Sequence, residues 1–349
     1  MTDLAPIAQT DLLCSNCAGQ CFFDPATGAL TCASCATEHE IVIDPNADPS
    51  IEHHYHPDLP HTEQPKVETD RQFQCETCGG GVVFHGHSIS EHCPYCDGAL
   101  VAQTHDESYA ILGMIPFSLG ASEAQENALS WAKRRWAAPD DLSSVVEQSR
   151  VAGLYVPFWT FDSHEAVAYT VRYRVKSGKR TVARIKRGSM NTTFDDLLVP
   201  ASPHVTPLIR DGILHDFDPQ KLRPFTAQYL AGFAAERHHQ TVSTGLTLKA
   251  SDKALLLRNR IKIHSGKKRI FDVSYKTDTT GIKYRRILLP VWILHYEHGG
   301  AKLKIATCGL HGRTFGERPF STSKLRGFAA IVASAAAAFG FAWGASGIY

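Results

Sequence analysis

The chain has 349 residues, 43% of them hydrophobic, enough for two or three domains with a sizeable core, which excludes a disordered chain. Net charge is only +1, but residues 1 to 110 hold 17 Asp and Glu against Lys66 and Arg71, so that part stands at −15 and the other 239 residues at +16. The acidic part repels phosphate backbones and anionic lipid, and the basic part attracts both.

Nine of the ten cysteines fall between Cys14 and Cys96, with Cys308 alone beyond them. That clustering points to metal rather than disulfides. The opening residues MTDLAPIAQTDLLC do not have the form of a signal peptide, so the thiols are expected in a reducing cytosol.

Cys14, Cys17, Cys32 and Cys35 form C-x2-C-x14-C-x2-C, and Cys75, Cys78, Cys93 and Cys96 repeat it at an offset of 61 residues. Zinc takes four soft donors at tetrahedral corners, and two CxxC turns joined by a short hairpin supply them. The spacing predicts two β zinc ribbons, over 1–45 and 71–104, each with a structural Zn2+ ion, because four thiolates leave no position for water. Gly19, Gly79 and Gly80 are expected to permit the tight turns around the cysteines. Phe22 with Phe23, and Val82 with Val83, would cover the small hairpin cores. A redox reading of CxxC would need a helix N-terminus, which strand-like flanks do not offer. Cys21 lies outside the repeated register and reads as a small apolar residue rather than a fifth ligand. His39, His85, His87 and His92 read as surface residues. Residues 46–70, rich in Pro, acid and His, read as a solvated linker, and His53, His54, His56 and His61 as solvated within it.

The body, 105–325, reads as α+β. Ser122 and Gln125 suggest a capping box at the start of a helix that buries Ala124, Ala128, Trp131 and Ala132, with Arg135 near the same face and Pro139 as its stop. Residues 171 to 176 alternate apolar and basic, predicting a strand that turns at Ser177-Gly178. Leu154-Tyr155-Val156-Pro157-Phe158-Trp159 matches Ile287-Leu288-Leu289-Pro290-Val291-Trp292 in pattern, which suggests a diverged internal repeat. Trp159 and Trp292 are expected in the core rather than in a ligand box. Helices are expected over 225–238 and 242–262.

Catalytic motifs do not emerge. Gly178-Lys179 and Gly266-Lys267 lack the rest of a phosphate loop, and His164-Glu165 has no second His in register. No G-x-S-x-G elbow occurs. Asp195 with Asp196, and Asp162 with His164, read as solvated neighbours. The expectation is a protein that is not an enzyme.

Residues 328 to 349 form 22 positions without a charge, about 33 Å as a helix and close to the thickness of a bilayer core. The tail, 326–349, is therefore expected to be a single transmembrane anchor rather than an Ala-rich core helix. Arg318, Lys324 and Arg326 precede it as lipid-facing basic residues, which would leave the N-terminal bulk on the cytoplasmic side of the cytoplasmic membrane. Ala330, Ser334 and Ala338, with Gly340 and Gly344, offer a smooth face for another transmembrane helix.

The order of parts resembles a bacterial family of double zinc-ribbon proteins with a C-terminal membrane segment, described as TFIIB-type or primosomal-helicase-like zinc ribbon proteins. The resemblance covers nearly the whole chain. It rests on the two cysteine quartets, Ile115-Pro116-Phe117, RRWAAP (134–139), GLYVPFWTFD (153–162), YLAGFAAER (229–237), LLPVWILHYEHGG (288–300) and GERPFS (316–321). It departs from the family pattern at Cys308-Gly309-Leu310-His311-Gly312-Arg313, which bears on the shape of one turn. The resemblance implies a membrane-tethered adaptor or scaffold for flotillin-like (SPFH) and PspA-like membrane-stress proteins. The helicase description does not carry over, because motor motifs are missing. The alternative is a DNA- or RNA-binding accessory protein using Arg172, Arg174, Lys176, Lys179, Arg180, Arg184, Lys186 and Arg187, although the acidic ribbons would repel nucleic acid.

Overall fold

The computed structural model describes residues 12–59, 63–68, 72–85, 90–103, 106–178, 180–214 and 217–345. His61, His87, Lys179 and residues 346–349, singled out above, lie outside those residues.

Short strands dominate the N-terminal region. β1 (Cys21–Asp24), β2 (Ala29–Cys32) and β3 (Glu38–His39) form an antiparallel sheet of their own. Next come β4 (His53–His54) and β5 (Lys66–Glu68). β6 (Gln72–Cys75), β7 (Gly81–Phe84) and β8 (Leu100–Gln103) surround the second quartet, and β9 (Asp106–Ser108) pairs with β5.

The body is a mixed α+β unit. It begins with β10 (Gly113–Met114), α1 (Ala121–Lys133), α2 (Leu142–Glu147), β11 (Arg150–Ser177) and β12 (Arg180–Pro200). It continues through α3 (Pro207–Leu214), β13 (Arg223–Pro224), β14 (Ala234–Ala235) and α4 (Val242–Ser265). β15 (Ile270–His298), β16 (Ala301–Cys308), β17 (Thr314–Gly316) and α5 (Thr322–Ala345) complete the chain.

The alternating residues 171–176 lie in β11, with Val171 buried and Arg172, Arg174 and Lys176 exposed. Ser177 pairs with Arg180 across a tight turn whose Gly178 has φ +59°. β11 also pairs with β15 along most of its length. There Val156 opposes Leu289, and the pairs on either side match: Tyr155 with Pro290 and Pro157 with Leu288, then Leu154 with Val291 and Phe158 with Ile287. Two short strands flank this pairing. β10 runs parallel to Ile287–Leu288, and β14 parallel to Leu154–Tyr155. Ile115 N–H donates to Leu288 O at 3.0 Å, and Glu236 N–H to Tyr155 O at 3.0 Å. Even the proline carbonyls correspond, Pro157 accepting from Ala201 N–H at 3.0 Å and Pro290 from Gly309 N–H at 3.1 Å. Trp159 and Trp292 are both buried, and Trp292 Nε1 donates to Leu119 O at 2.9 Å.

Three expectations need correction. α1 buries Ala124, Ala128, Trp131 and Ala132 as expected, but it is capped two residues earlier than the Ser122–Gln125 box. Glu123 Oε2 accepts from Gly120 N–H at 2.8 Å, while Gln125 reaches across to Glu147 O at 2.5 Å. Residues 225–238 are not a helix. One 3-10 turn at Ala227–Leu230 gives way at Gly232 (φ +91°) to β14, because the segment is buried beside other strands and completes their ladders. The helix expected over 242–262 does form and runs on to Ser265, where Gly266 (φ +63°) supplies a left-handed cap.

Residues 46–68 are not a free linker among the described residues. β4 pairs with Tyr284 and Lys283 of β15, and Tyr55 and Leu59 pack on the cluster containing Trp159 and Phe161. Arg285 and Arg286 are buried, and the segment supplies Glu52 and Glu63 as carboxylates. A buried guanidinium needs such a partner, and ion pairing leaves no periodicity to read.

Candidate metal centres

Each CxxC sits in the same backbone turn. Cys14 N–H donates to Gly19 O at 2.8 Å and Ala18 N–H returns to Cys14 O at 2.8 Å. The same two bonds recur at Cys32 (Thr37, Ala36), Cys75 (Gly80, Gly79) and Cys93 (Gly98, Asp97). In all four the residue just after the second cysteine is left-handed: Ala18 (φ 57°), Ala36 (55°), Gly79 (74°) and Asp97 (64°). Only one of them is the glycine that such a conformation favours. Gly19 and Gly80 serve close packing instead, since a Cβ on Gly19 would lie 2.7 Å from Ser34 Oγ and one on Gly80 3.3 Å from Cys78 Sγ.

These turns bring four sulfurs together in each quartet, all within 4.8 Å of one another. In the first, Cys14 and Cys35 are 3.6 Å apart, Cys17 and Cys32 3.5 Å, and Cys17 and Cys35 3.4 Å. In the second, Cys75 and Cys96 are 3.4 Å apart, and Cys78 and Cys93 3.8 Å. Both quartets can hold a metal, and their soft, closely spaced donors fit Zn2+. Within each cage the pulls divide: against the Gly19 N–H, hydrogen bonding with Cys35 and Cys32 holds Cys17 up at about 12, and burial pushes Cys96 up to about 11, while other thiols are lowered. Burial opposes ionisation of Cys75, yet the N–H groups of Cys78 and Thr77 bring it down to about 7. The hydroxyl and N–H of Thr37 bring Cys35 down to about 6.

The two quartets differ in surroundings. Cys17 and Cys35 of the first are exposed, whereas no cysteine of the second is. The second is built into the body's sheet: β7 pairs with β14, Tyr95 donates to Glu236, Asp97 pairs with Arg150, and His295 Nε2 lies 2.8 Å from Pro94 O. The first docks through Phe23, whose N–H donates to Ala231 O at 3.0 Å and whose ring meets Tyr229 at 5.2 Å. Residues 229–236 thus lie between the two hairpins.

Near the first quartet His39 differs from expectation, while Cys21 is a small buried residue, as expected. His39, read as a surface side chain, has Nε2 3.2 Å from Cys14 Sγ, and Cys21 is buried beside it. Cys14, Cys21 and His39 form a further close group of donors. The pairing of β2 with β3 brings His39 there, a relationship that residue spacing does not reveal. His92 is exposed, as expected, near Asp97 at 3.6 Å.

Other candidates scatter. Asp162 accepts from Asp196 N–H at 2.8 Å, and together with Glu52 they form an acidic trio. Arg285 pairs with Asp196 and approaches Glu52 at 3.7 Å, and Lys283 pairs with Glu52 at 3.0 Å, so two cations already offset much of that acidic charge. Arg172, Arg174, Lys176, Arg180, Arg184 and Arg187 lie on the far part of the β11–β12 hairpin, where Lys186 is tied to Ser265 O at 3.0 Å. Sequence reasoning missed a buried polar cluster. Glu165 accepts from Thr277 and Thr279 at 2.7 Å each and pairs with Lys253 at 2.7 Å, and Lys249 donates to Ser163 Oγ at 3.2 Å.

α5 is apolar and long enough to cross a membrane over Thr322–Trp343, and none of that stretch is buried against the protein. The core-helix alternative for the tail therefore fails. Of the basic residues expected to flank it, Arg318 precedes the helix and lies over the Phe320 ring at 5.1 Å, while Lys324 and Arg326 fall in its first turns, Lys324 paired with Asp140 at 2.5 Å and Arg326 exposed.

The chain is 24% identical over 330 residues to the uncharacterized protein YdjG of Bacillus subtilis (strain 168), covering 89% of this chain and 91% of that one. No family model matches, and no solved structure does. What emerges is a protein with two metal-binding cysteine clusters, an α+β body and one candidate membrane span.

Proposed function

We propose that this chain is a membrane-tethered adaptor, not an enzyme, that recruits protein partners at the cytoplasmic face of the membrane. Two zinc ribbons, within 1–45 and 71–104, hold one structural Zn2+ ion each, the body spans 105–325, and the tail 326–349 anchors it. The observation that carries this reading is the combination of two closed four-sulfur cages with an apolar helix that has no buried residue over its span. Closed cages leave no site for substrate water. The matched pairing around Val156 and Leu289 supports a body made of two related units, each a short strand, a helix and a long strand. Arg318, Lys324 and Arg326 around the N-terminal end of the span support an N-terminal bulk in the cytoplasm.

The family resemblance supports flotillin-like or PspA-like membrane-stress proteins as the partners. The test is a nuclease-treated pull-down of the full chain from solubilised membranes, with a chain ending at Ser323 as control. Recovery of such scaffold proteins, lost with the tail, is the expected result. The exposed basic residues on the β11–β12 hairpin favour nucleic acid as the second reading. Soluble protein carrying nucleic acid whenever nuclease is omitted would replace the adaptor reading with it.

A further inference from the structure

The body meets the membrane helix in a crowded junction. Ser321 N–H donates to Ala137 O at 2.8 Å, Lys324 Nζ reaches Ala138 O at 2.8 Å, and the Phe328 ring lies 5.1 Å from that of Trp136. The loop after α1 and the start of α5 therefore share one surface. Three large rings on it face solvent, with Trp136 59%, Phe320 56% and Phe328 53% exposed. Contiguous exposed aromatic surface marks an interaction site, and beside a membrane span the amphipathic Trp ring favours the headgroup level.

Arginines stand among those rings. Arg135 lies over Trp131 at 4.8 Å, Arg318 over Phe320 at 5.1 Å, and Arg134 is held by Ser130 O and Oγ at 3.2 and 2.9 Å. Among the described residues, none of the three has a carboxylate within ion-pair distance. Arg135 Nε is buried without a hydrogen-bond partner. Burial, then the charges of Arg318 and Arg134, hold the Arg135 guanidinium below the usual arginine range. Like charges gathered around an orphaned donor are a site for an anion, and guanidinium forks suit phosphate.

We propose that Arg134, Arg135 and Arg318 hold the phosphate of an anionic lipid headgroup, with Trp136 and Phe320 seated beside it in the headgroup layer. The site rests on the reading that α5 spans the bilayer. It fixes how deep and in which orientation the body sits on the membrane, which a single helix alone does not.

The test uses the full chain in phosphatidylcholine vesicles with and without phosphatidylglycerol. Trp131, Trp159 and Trp292 are buried, so Trp343→Phe leaves Trp136 as the exposed tryptophan. Lipids brominated near the headgroup should quench Trp136 more strongly than lipids brominated deep in the chain, and more strongly with phosphatidylglycerol present. In Arg134→Gln/Arg318→Gln, which alters partly or fully exposed side chains, the phosphatidylglycerol effect should be lost without a change in melting temperature. Trp136→Phe reports on the anchor separately through Trp343. Quenching of Trp343 without quenching of Trp136 overturns the headgroup site and leaves the anchor standing. If neither is quenched, the anchor reading falls and this site with it. Equal quenching of Trp136 in neutral and anionic vesicles removes the arginines from the proposal. If inorganic phosphate added to neutral vesicles reproduces the phosphatidylglycerol effect, the site takes free phosphate and the lipid assignment is wrong.

Discussion

Glu63 and Arg286 form an ion pair between positions 223 residues apart, with side chains only 9% and 8% exposed. The same guanidinium lies 4.6 Å from the rings of both Tyr109 and Trp159. Removing one partner strands the other charge in a dry site. Glu63→Gln is expected to destabilise the protein by about 3 kcal/mol, whereas Glu63→Leu combined with Arg286→Met should recover much of that loss. Denaturant unfolding of the three variants measures the difference.

The left-handed residues after the cysteine pairs make a second prediction. Ala18 and Ala36 adopt a conformation that glycine takes without steric cost. Ala18→Gly and Ala36→Gly should each stabilise the first hairpin by about 0.5 kcal/mol or more. Asp97→Gly should not, because Asp97 also pairs with Arg150. Chelator concentration at half-release of metal is the readout.

The two cages should also differ in how fast they lose metal. Cys17 and Cys35 are exposed, while Cys75 and Cys93 are buried against the body. A competing chelator is expected to empty the first quartet before the second. Cys14→Ser should abolish the fast phase, Cys75→Ser the slow one, and Cys308→Ser neither, as read by a colorimetric zinc indicator.

Lys249 supplies a pH dependence. Burial, followed by repulsion from Lys253, pushes its ammonium down to about 8, against about 10.4 in an unfolded chain. Between those values the unfolded state binds the proton and the folded state does not, so stability rises with pH across that window. Below it the folded protein carries the full penalty of a buried charge. Lys249→Met should therefore raise stability at pH 7 by about 1–3 kcal/mol, a gain that fades as the pH approaches 10. Melting curves of both proteins at the two pH values decide it.

Much of the metal chemistry was legible in the sequence, because a repeated cysteine register needs no tertiary information. The apolar tail and the helix after Thr241 were legible for the same reason, each being a long continuous pattern. What eluded the sequence depends on partners distant along the chain. Residues 225–238 have helix-forming composition but form only a 3-10 turn and the short strand β14, since Ala234 and Ala235 are flanked on one side by Phe84 and Val83 and on the other by Leu154 and Tyr155. Glu52 and Glu63 looked like solvated acids until Arg285 and Arg286 came into view beside them. Ala18, Ala36 and Asp97 could have been singled out, since each occupies the same position after a CxxC. Residue type alone argued against them.

β11 runs for 28 residues, a contour of about 90 Å at the usual rise per residue. Arg172, Arg174 and Lys176 lie near one end of it, and Arg150, close to the body's other elements, lies at the other. Charges interact over only about 8 Å in physiological salt. The basic hairpin end and Arg150, which pairs with Asp97, are therefore electrostatically deaf to each other. A change of charge around the hairpin end leaves the Arg150–Asp97 pair, which ties the second cysteine hairpin to the body, unaltered.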